Sequence, residues 1–296
     1  MYDYKYCSGK EKIMRFLKKF FKIFGIISLL LFIGLYVMFY VFTKPKTDKK
    51  VLEKFKNSSI KPIISYKKYK DFEYRQLSVG KDSTKLTIIF VHGTIGSCLD
   101  FKEYMKDSLL LLKANMISYD RIGYNYKDKN DVQESIAFER DLLLDLTKKI
   151  DKKNTILVGY SYGGPIVLAV KEKVKKVILL APAVYSKIEP MPWMLNLYKW
   201  KSTRWLVPPI WKQASKEKLS HRKDLENFEN NWNENPNQIV SIQGNKDWIV
   251  PYENSIYLKE QFPENQFELR TLKNAGHGLV WSHFEEIKQE LLKQLD

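Results

Sequence analysis

Thr155-Ile-Leu-Val-Gly-Tyr-Ser-Tyr-Gly-Gly164 decides how this chain is read. Four residues suited to a pleated strand, Thr155 to Val158, run into Gly159-Tyr160-Ser161-Tyr162-Gly163, and an apolar helical pattern from Pro165 to Val170 follows at once. The spacing predicts strand, sharp turn and helix, with Ser161 at the apex. Such a turn forces its apex residue into a cramped backbone conformation, so the residues two before and two after it must be very small. Gly159 and Gly163 meet that demand. The turn lifts the Ser161 hydroxyl clear of the sheet and aims the first N–H groups of the next helix at whatever that hydroxyl attacks. A Gly-Ser surface turn carries the same residues, so the meaning comes from the flanking elements and from partners elsewhere.

Upstream, Ile63–Tyr66 and Phe72–Val79 read as opening strands at an antiparallel edge. Leu86–Val91 is almost wholly apolar, as a strand buried on both faces of a parallel sheet must be. His92-Gly93-Thr94-Ile95-Gly96 follows at its C-terminal end, where ligands bind in open α/β sheets. The Thr94 N–H is placed to face a developing oxyanion, and His92 reads as a residue that holds this loop rather than as a base. Leu99–Lys113 has helical spacing. Met116–Tyr119 is a short strand ending in Asp120-Arg-Ile-Gly-Tyr124, and Gln133–Ile150 is an amphipathic helix. Alternating strands and helices imply right-handed crossovers and a parallel sheet.

Downstream, Val174–Ala181 reads as another buried strand. The stretch 187–238 then breaks the pattern with Trp193, Trp200, Trp205, Trp211 and Trp232 among many lysines. Two readings stand: an apolar roof over a site, suited to an acyl chain, or a solvated helical insertion with ordinary core tryptophans. His221, among charges, is expected to be exposed. Ile239–Gln243 resumes the sheet, and Asp247 falls in the turn after it, where an acid can orient a histidine. Glu189 is the reserve acid. After a last strand, Phe267–Leu272, small residues in Asn274-Ala-Gly-His-Gly278 leave His277 free to reach the sheet edge. His283 is the rival base, on a closing helix over 281–295. The order Ser161, Asp247, His277 is one of the orders known for a serine–acid–histidine set.

Together these pieces resemble the α/β-hydrolase family. The resemblance rests on His92-Gly93-Thr94-Ile95-Gly96, Asp120-Arg121-Ile122-Gly123, Gly159-Tyr160-Ser161-Tyr162-Gly163, the Gly244-to-Pro251 loop with Asp247, and the glycines around His277. It covers roughly residues 70–295 and departs at Asn125, where many relatives carry glycine. It implies the α/β class: an α/β-hydrolase fold, mostly parallel, with helices on both faces and a helical cap over about 187–238. It further implies Ser161 as nucleophile, His277 as base, Asp247 as the acid that orients it, and the N–H groups of Thr94 and Tyr162 as the oxyanion hole. No cofactor is called for. Cleavage of a carboxylic ester is the expected chemistry, with a lipid-like or other small ester as partner. Amidases, thioesterases and carbon–carbon bond hydrolases use the same three side chains, and a binding protein could keep the fold without turnover.

Bulk properties bound the rest. A chain of 296 residues with 44% apolar content supports one large domain with attachments. Cys7 and Cys98 make no disulfide framework, and four histidines without His-Glu-x-x-His argue against a metal. The net charge of +16 is concentrated at one end: residues 1–61 hold 14 Lys/Arg against 4 Asp/Glu. That placement, beside an apolar run, speaks against nucleic acid as a partner. Ile23–Thr43 is 21 residues without a charge, about 31 Å as a helix, enough for a bilayer core. A cleaved signal would have a shorter core and a small-x-small site, neither of which Thr43-Lys-Pro-Lys46 provides. The expected organisation is a basic segment over 1–22, a membrane span over 23–43, a charged mobile tether over 44–61 and the hydrolase-like domain over 62–296. A single-pass protein with its domain on the extracytoplasmic side is the expected arrangement.

Overall fold

The computed structural model describes residues 4–295, with side chains from residue 11 onward; the first three residues of the basic segment and the Cys7 thiol lie outside the described residues. The chain divides into two units, Met1–Lys44 and Pro45–Asp296.

The first unit is one helix, Tyr4–Phe42. The basic segment and the apolar span are therefore not separate elements. Nothing between them breaks a helix: the first proline is Pro45, and Gly25 and Gly34 stand in open space. Glu11–Phe42 is long and apolar enough to cross a membrane.

The second unit is built on an eight-stranded sheet. Its strands are β1 (Ile63–Tyr69), β2 (Phe72–Val79), β3 (Leu86–Val91), β4 (Ala114–Tyr119), β5 (Thr155–Tyr160), β6 (Lys176–Leu180), β7 (Ile239–Gly244) and β8 (Phe267–Leu272). Their order is β1-β2-β4-β3-β5-β6-β7-β8. β1 and β2 form the expected antiparallel edge, and β3 to β8 are mutually parallel. Between β3 and β5 the connections leave in opposite directions, which opens a crevice at the C-terminal ends of those two strands. All six residues of β5 are buried, and they alternate between two cores. Ile156 and Val158 join Ile88 and Phe90 on one face, while Leu157 joins Ile89 and Val91 on the other.

Several expectations need correction. The helix expected over 99–113 is two, Lys102–Lys106 and Ser108–Lys113, because Asp107 turns extended and its carboxylate caps the N–H groups of Leu109 and Leu110. The closing helix likewise breaks at His283, and the stronger part, Phe284–Leu295, buries Ile287, Leu291 and Leu295 at four-residue spacing. The segment 44–61 is not a free tether. A helix, Asp48–Glu53, sits within it, and Val51 and Phe55 are buried in the core. Buried Arg75 secures the segment, donating to the Lys46 carbonyl at 2.8 Å and to Asp48 at 3.0 Å. The two apolar side chains outweigh a lysine-rich composition that reads as linker.

The insertion after β6 carries the helices Leu195–Lys199 and Pro209–Leu225 and the tight turns Arg204–Leu206 and Glu229–Glu234. Its tryptophans divide. Trp232 is a core residue, stacked on Phe228 and donating to the Val184 carbonyl, whereas Trp193, Trp200 and Trp205 face solvent. His221 is buried, not exposed; its ring lies 4.5 Å from that of Tyr162 and its Nε2 meets the Ala183 carbonyl at 3.1 Å.

Candidate active site

β5 delivers Ser161 at the crevice. Its φ of +54° puts a side-chain-bearing residue in the left-handed region, the strain the glycine pattern foreshadowed. A Cβ at Gly159 would stand 2.3 Å from the Gly163 carbonyl oxygen, and one at Gly163 would stand 2.2 Å from that of Val91. No other residue fits either position without moving backbone. The turn is pinned to β6, with the Ser161 N–H donating to the Leu180 carbonyl at 2.9 Å.

The structure brings Ser161, His277 and Asp247 into one chain of hydrogen bonds. The Ser161 hydroxyl lies 3.0 Å from His277 Nε2, and His277 Nδ1 lies 2.8 Å from Asp247 Oδ2. With Nδ1–H donated to the carboxylate, Nε2 is left to accept the hydroxyl proton. The Asp247 side chain is wholly buried; its Oδ1 accepts the Ile249 and Val250 N–H groups, and Oδ2 also takes a bond from Gln243 Nε2 at 3.2 Å. Every lone pair that could pull the carboxylate away from His277 is engaged. Tyr160 backs the imidazole, its ring 5.2 Å away and its hydroxyl donating to the His277 carbonyl at 2.9 Å.

Thr94 and Tyr162 flank Ser161. The loop after β3 presses on the serine so closely that a Cβ at Gly93 would stand 2.8 Å from the Ser161 Cβ. Among the described residues no partner takes the backbone N–H of Thr94 or of Tyr162. Tyr162 directly precedes the helix Gly163–Leu168, so its N–H has no place in that helix's own ladder.

Behind this loop lies a buried ionic network that the sequence motifs did not announce. Arg121 donates to the carbonyls of His92 and Gly93 at 3.1 and 3.2 Å and to Glu217 at 2.6 and 2.9 Å. Glu217, from the helix Pro209–Leu225, also accepts the Thr94 hydroxyl at 2.7 Å and the Tyr124 hydroxyl at 2.8 Å. The cap and the Thr94 loop are thus tied through one carboxylate. Burial and the neighbouring Arg121 charge hold the His92 pKa well below the usual histidine range. As a neutral ring its Nδ1 bonds the Gly93 carbonyl at 2.7 Å while Nε2 accepts the Arg121 N–H at 3.0 Å. His92 holds the loop and is not within this hydrogen-bond chain.

The alternatives fall elsewhere. Glu189 is buried against Lys218 rather than His277. His283 bonds its neighbour Ser282 at 2.9 Å. Among the described residues no cluster of His, Cys, Asp and Glu could hold a metal ion.

A sequence profile of the family described as alpha/beta hydrolase fold matches residues 87–213, which includes Thr94, Arg121 and Ser161. The chain has an α/β-hydrolase fold. A Mycoplasma pneumoniae protein named as an esterase/lipase is 29% identical over 131 residues, 41% of this chain, and the chain spans about 43% of that relative's length. Among solved structures, one described as a lipase from Acinetobacter baumannii AYE shares the fold with a TM-score of 0.62 at 15% identity, over 84% of this chain and 96% of that one. An esterase from Exiguobacterium antarcticum gives 0.61 at 17% identity, over 79% and 99%. A membrane phospholipase A gives 0.61 at 13% identity, over 96% and 98%. At these identities the likeness is one of fold.

One charge balance in this α/β-hydrolase domain yields a pH prediction. Arg121 faces two buried acids, Glu217 and, at 3.7 Å, Glu139. Glu217 takes the charge; its pKa is lowered despite burial because Arg121 and three hydrogen bonds favour the carboxylate. Burial pushes Glu139 up to about 7, from an ordinary 4.5. Between those values the folded state keeps a proton that the unfolded chain has released, so stability falls as pH rises through that window and levels off above it. Half-buried Asp100, raised by desolvation to about 7, adds to the same slope. Glu139→Gln keeps the side chain neutral and should shrink the decline without abolishing it. Denaturant melts of both proteins across the window measure the two slopes.

Proposed function

We propose that the chain is a membrane-anchored serine hydrolase that cleaves carboxylic esters through an acyl-enzyme, with Ser161 as nucleophile. The observation that carries this reading is the hydrogen-bond chain from the Ser161 hydroxyl through His277 to Asp247, beside two unclaimed N–H groups. His277 Nε2 takes the hydroxyl proton as Ser161 Oγ attacks the ester carbonyl. Asp247 holds the imidazole's tautomer and stabilises the imidazolium. The N–H groups of Thr94 and Tyr162 donate to the oxyanion, each typically worth about 3 kcal/mol. His277 then protonates the departing alcohol, and the acyl group remains on Ser161. Water enters, gives its proton to His277 and attacks the acyl carbon; the acid leaves and Ser161 regains its hydrogen. No step needs a cofactor.

The anchoring half of the proposal rests on the helix Tyr4–Phe42, of which Glu11–Phe42 is long and apolar enough to cross a membrane; its extracytoplasmic placement of the domain is the usual arrangement for a short basic N-terminus before a single span. A lipid-like or other hydrophobic ester suits a chain held at a bilayer. A fluorophosphonate probe tests the chemistry: incubated with membranes holding the full chain, it should label Ser161 and no other residue, as read by peptide mass. Absence of label on folded protein removes the nucleophile. Chain-length profiling of p-nitrophenyl esters tests the substrate class, and a preference for small polar amides defeats the lipid-like ester.

A further inference from the structure

Three tryptophans stand at the surface with no core to explain them. Trp193, Trp200 and Trp205 are 72%, 56% and 71% exposed, with Met194 at 55% between them. Their segment is folded, not loose. The Thr203 hydroxyl donates to the Leu197 carbonyl at 2.8 Å, and Arg204 Nε donates to the Tyr198 carbonyl at 2.6 Å, closing the short helix onto the turn that follows it. Large indoles held at the surface of a built element mark a surface made for contact.

Charge says with what. Residues 190–211 contain no Asp or Glu, while Lys199, Lys201 and Arg204 interleave with the indoles. Indole rings beside basic side chains suit the boundary between acyl chains and anionic headgroups, where an amphipathic ring and a cation are both satisfied. A second copy of the chain is a poor fit, because a two-fold contact of this face with itself would set like charges together. Trp248 and Ile249, directly after Asp247, also face solvent.

We propose that the face carrying Trp193, Trp200 and Trp205 docks on an anionic lipid bilayer surface, inserting its indoles at the headgroup level. This contact is separate from any membrane crossing by the N-terminal helix, and it does not depend on the reaction proposed for Ser161.

The sequence offers a clean probe. All seven tryptophans lie at or beyond position 193, and none lies in Glu11–Phe42, so indole emission reports on the folded domain alone. The full chain in nanodiscs of phosphatidylcholine and phosphatidylglycerol, with acyl chains brominated near the headgroup, should lose up to about three sevenths of its emission, the share of three among seven equal indoles. The combined variant Trp193→Ala, Trp200→Ala, Trp205→Ala should lose that quenching and keep its melting temperature. If the combined variant fails to fold, each single variant should remove about a third of the quenching. Lys199→Glu with Lys201→Glu should weaken quenching at low salt on the anionic discs. Equal emission in brominated and plain discs overturns the proposal, as does quenching that survives loss of the three indoles. Cross-linking of two chains through this segment without quenching assigns the face to self-association and overturns it equally.

Discussion

Alanine at position 161 should lower kcat/KM for a short p-nitrophenyl ester by about 10⁴- to 10⁶-fold while leaving the domain folded. The size of the loss follows from what one oxygen does. Under the proposed reaction, loss of the hydroxyl leaves His277 no proton to take and no nucleophile to activate, although the two flanking N–H groups would still bind a carbonyl oxygen. What remains is the modest rate that polarisation and positioning give to attack by water. The fold should tolerate the change, because among the described residues the Ser161 side chain bonds only to His277 and alanine meets the same φ of +54° as serine does. Thermal melts of the two proteins should nearly coincide. Turnover retained by a folded Ser161→Ala protein removes Ser161 from the reaction.

The second large effect concerns stability. Glu217→Ala should destabilise the domain by about 3–5 kcal/mol, because breaking a buried ion pair from one side leaves the other charge uncompensated. Arg121 loses its bidentate acceptor, and the hydroxyls of Thr94 and Tyr124 lose theirs. In a domain of this size that is a fall of roughly 10 °C in melting temperature. Glu139, 3.7 Å from the same guanidinium, should then ionise more readily, so the loss is smaller above neutral pH than below it. Melts of Glu217→Ala at the two ends of the Glu139 titration measure both effects. A variant as stable as the parent would mean that Arg121 finds other acceptors.

Much of the sheet was legible because its signals are local. Leu86–Val91 is a strand over the same residues that its apolar run marks, since a strand buried on both faces leaves little room for polar side chains; Phe267–Leu272, an edge strand that carries Glu268, Arg270 and Thr271, also keeps its expected bounds. The Ser161 turn was legible because two glycines are required by backbone contacts short enough to exclude any Cβ. Asp247 and His277 were legible through the loops that carry them. Glu217, Arg121 as a loop clamp, Gln243 and Tyr160 were not. All but Gln243 act through partners far away in the chain, and an acid in a lysine-rich helix looks like any solvated residue until its 96-residue-distant arginine is in view. His221 failed for the same reason: its neighbours in sequence are charged, but its neighbours in space are Tyr162 and the Ala183 carbonyl. The segment around Asp48–Glu53 was misjudged because average composition hid two apolar side chains aimed at the core.

The way His277 is held has a kinetic consequence. One ring nitrogen is committed to Asp247, Tyr160 closes off the ring's face and grips its carbonyl, and only Nε2 stays open. Under the proposed reaction the same nitrogen must hand a proton to the departing alcohol and later strip one from the incoming water. Both therefore occupy a single berth, and the second cannot arrive until the first has gone. Any added alcohol small enough to enter competes with water for that berth, diverting the acyl group to a new ester rather than to free acid.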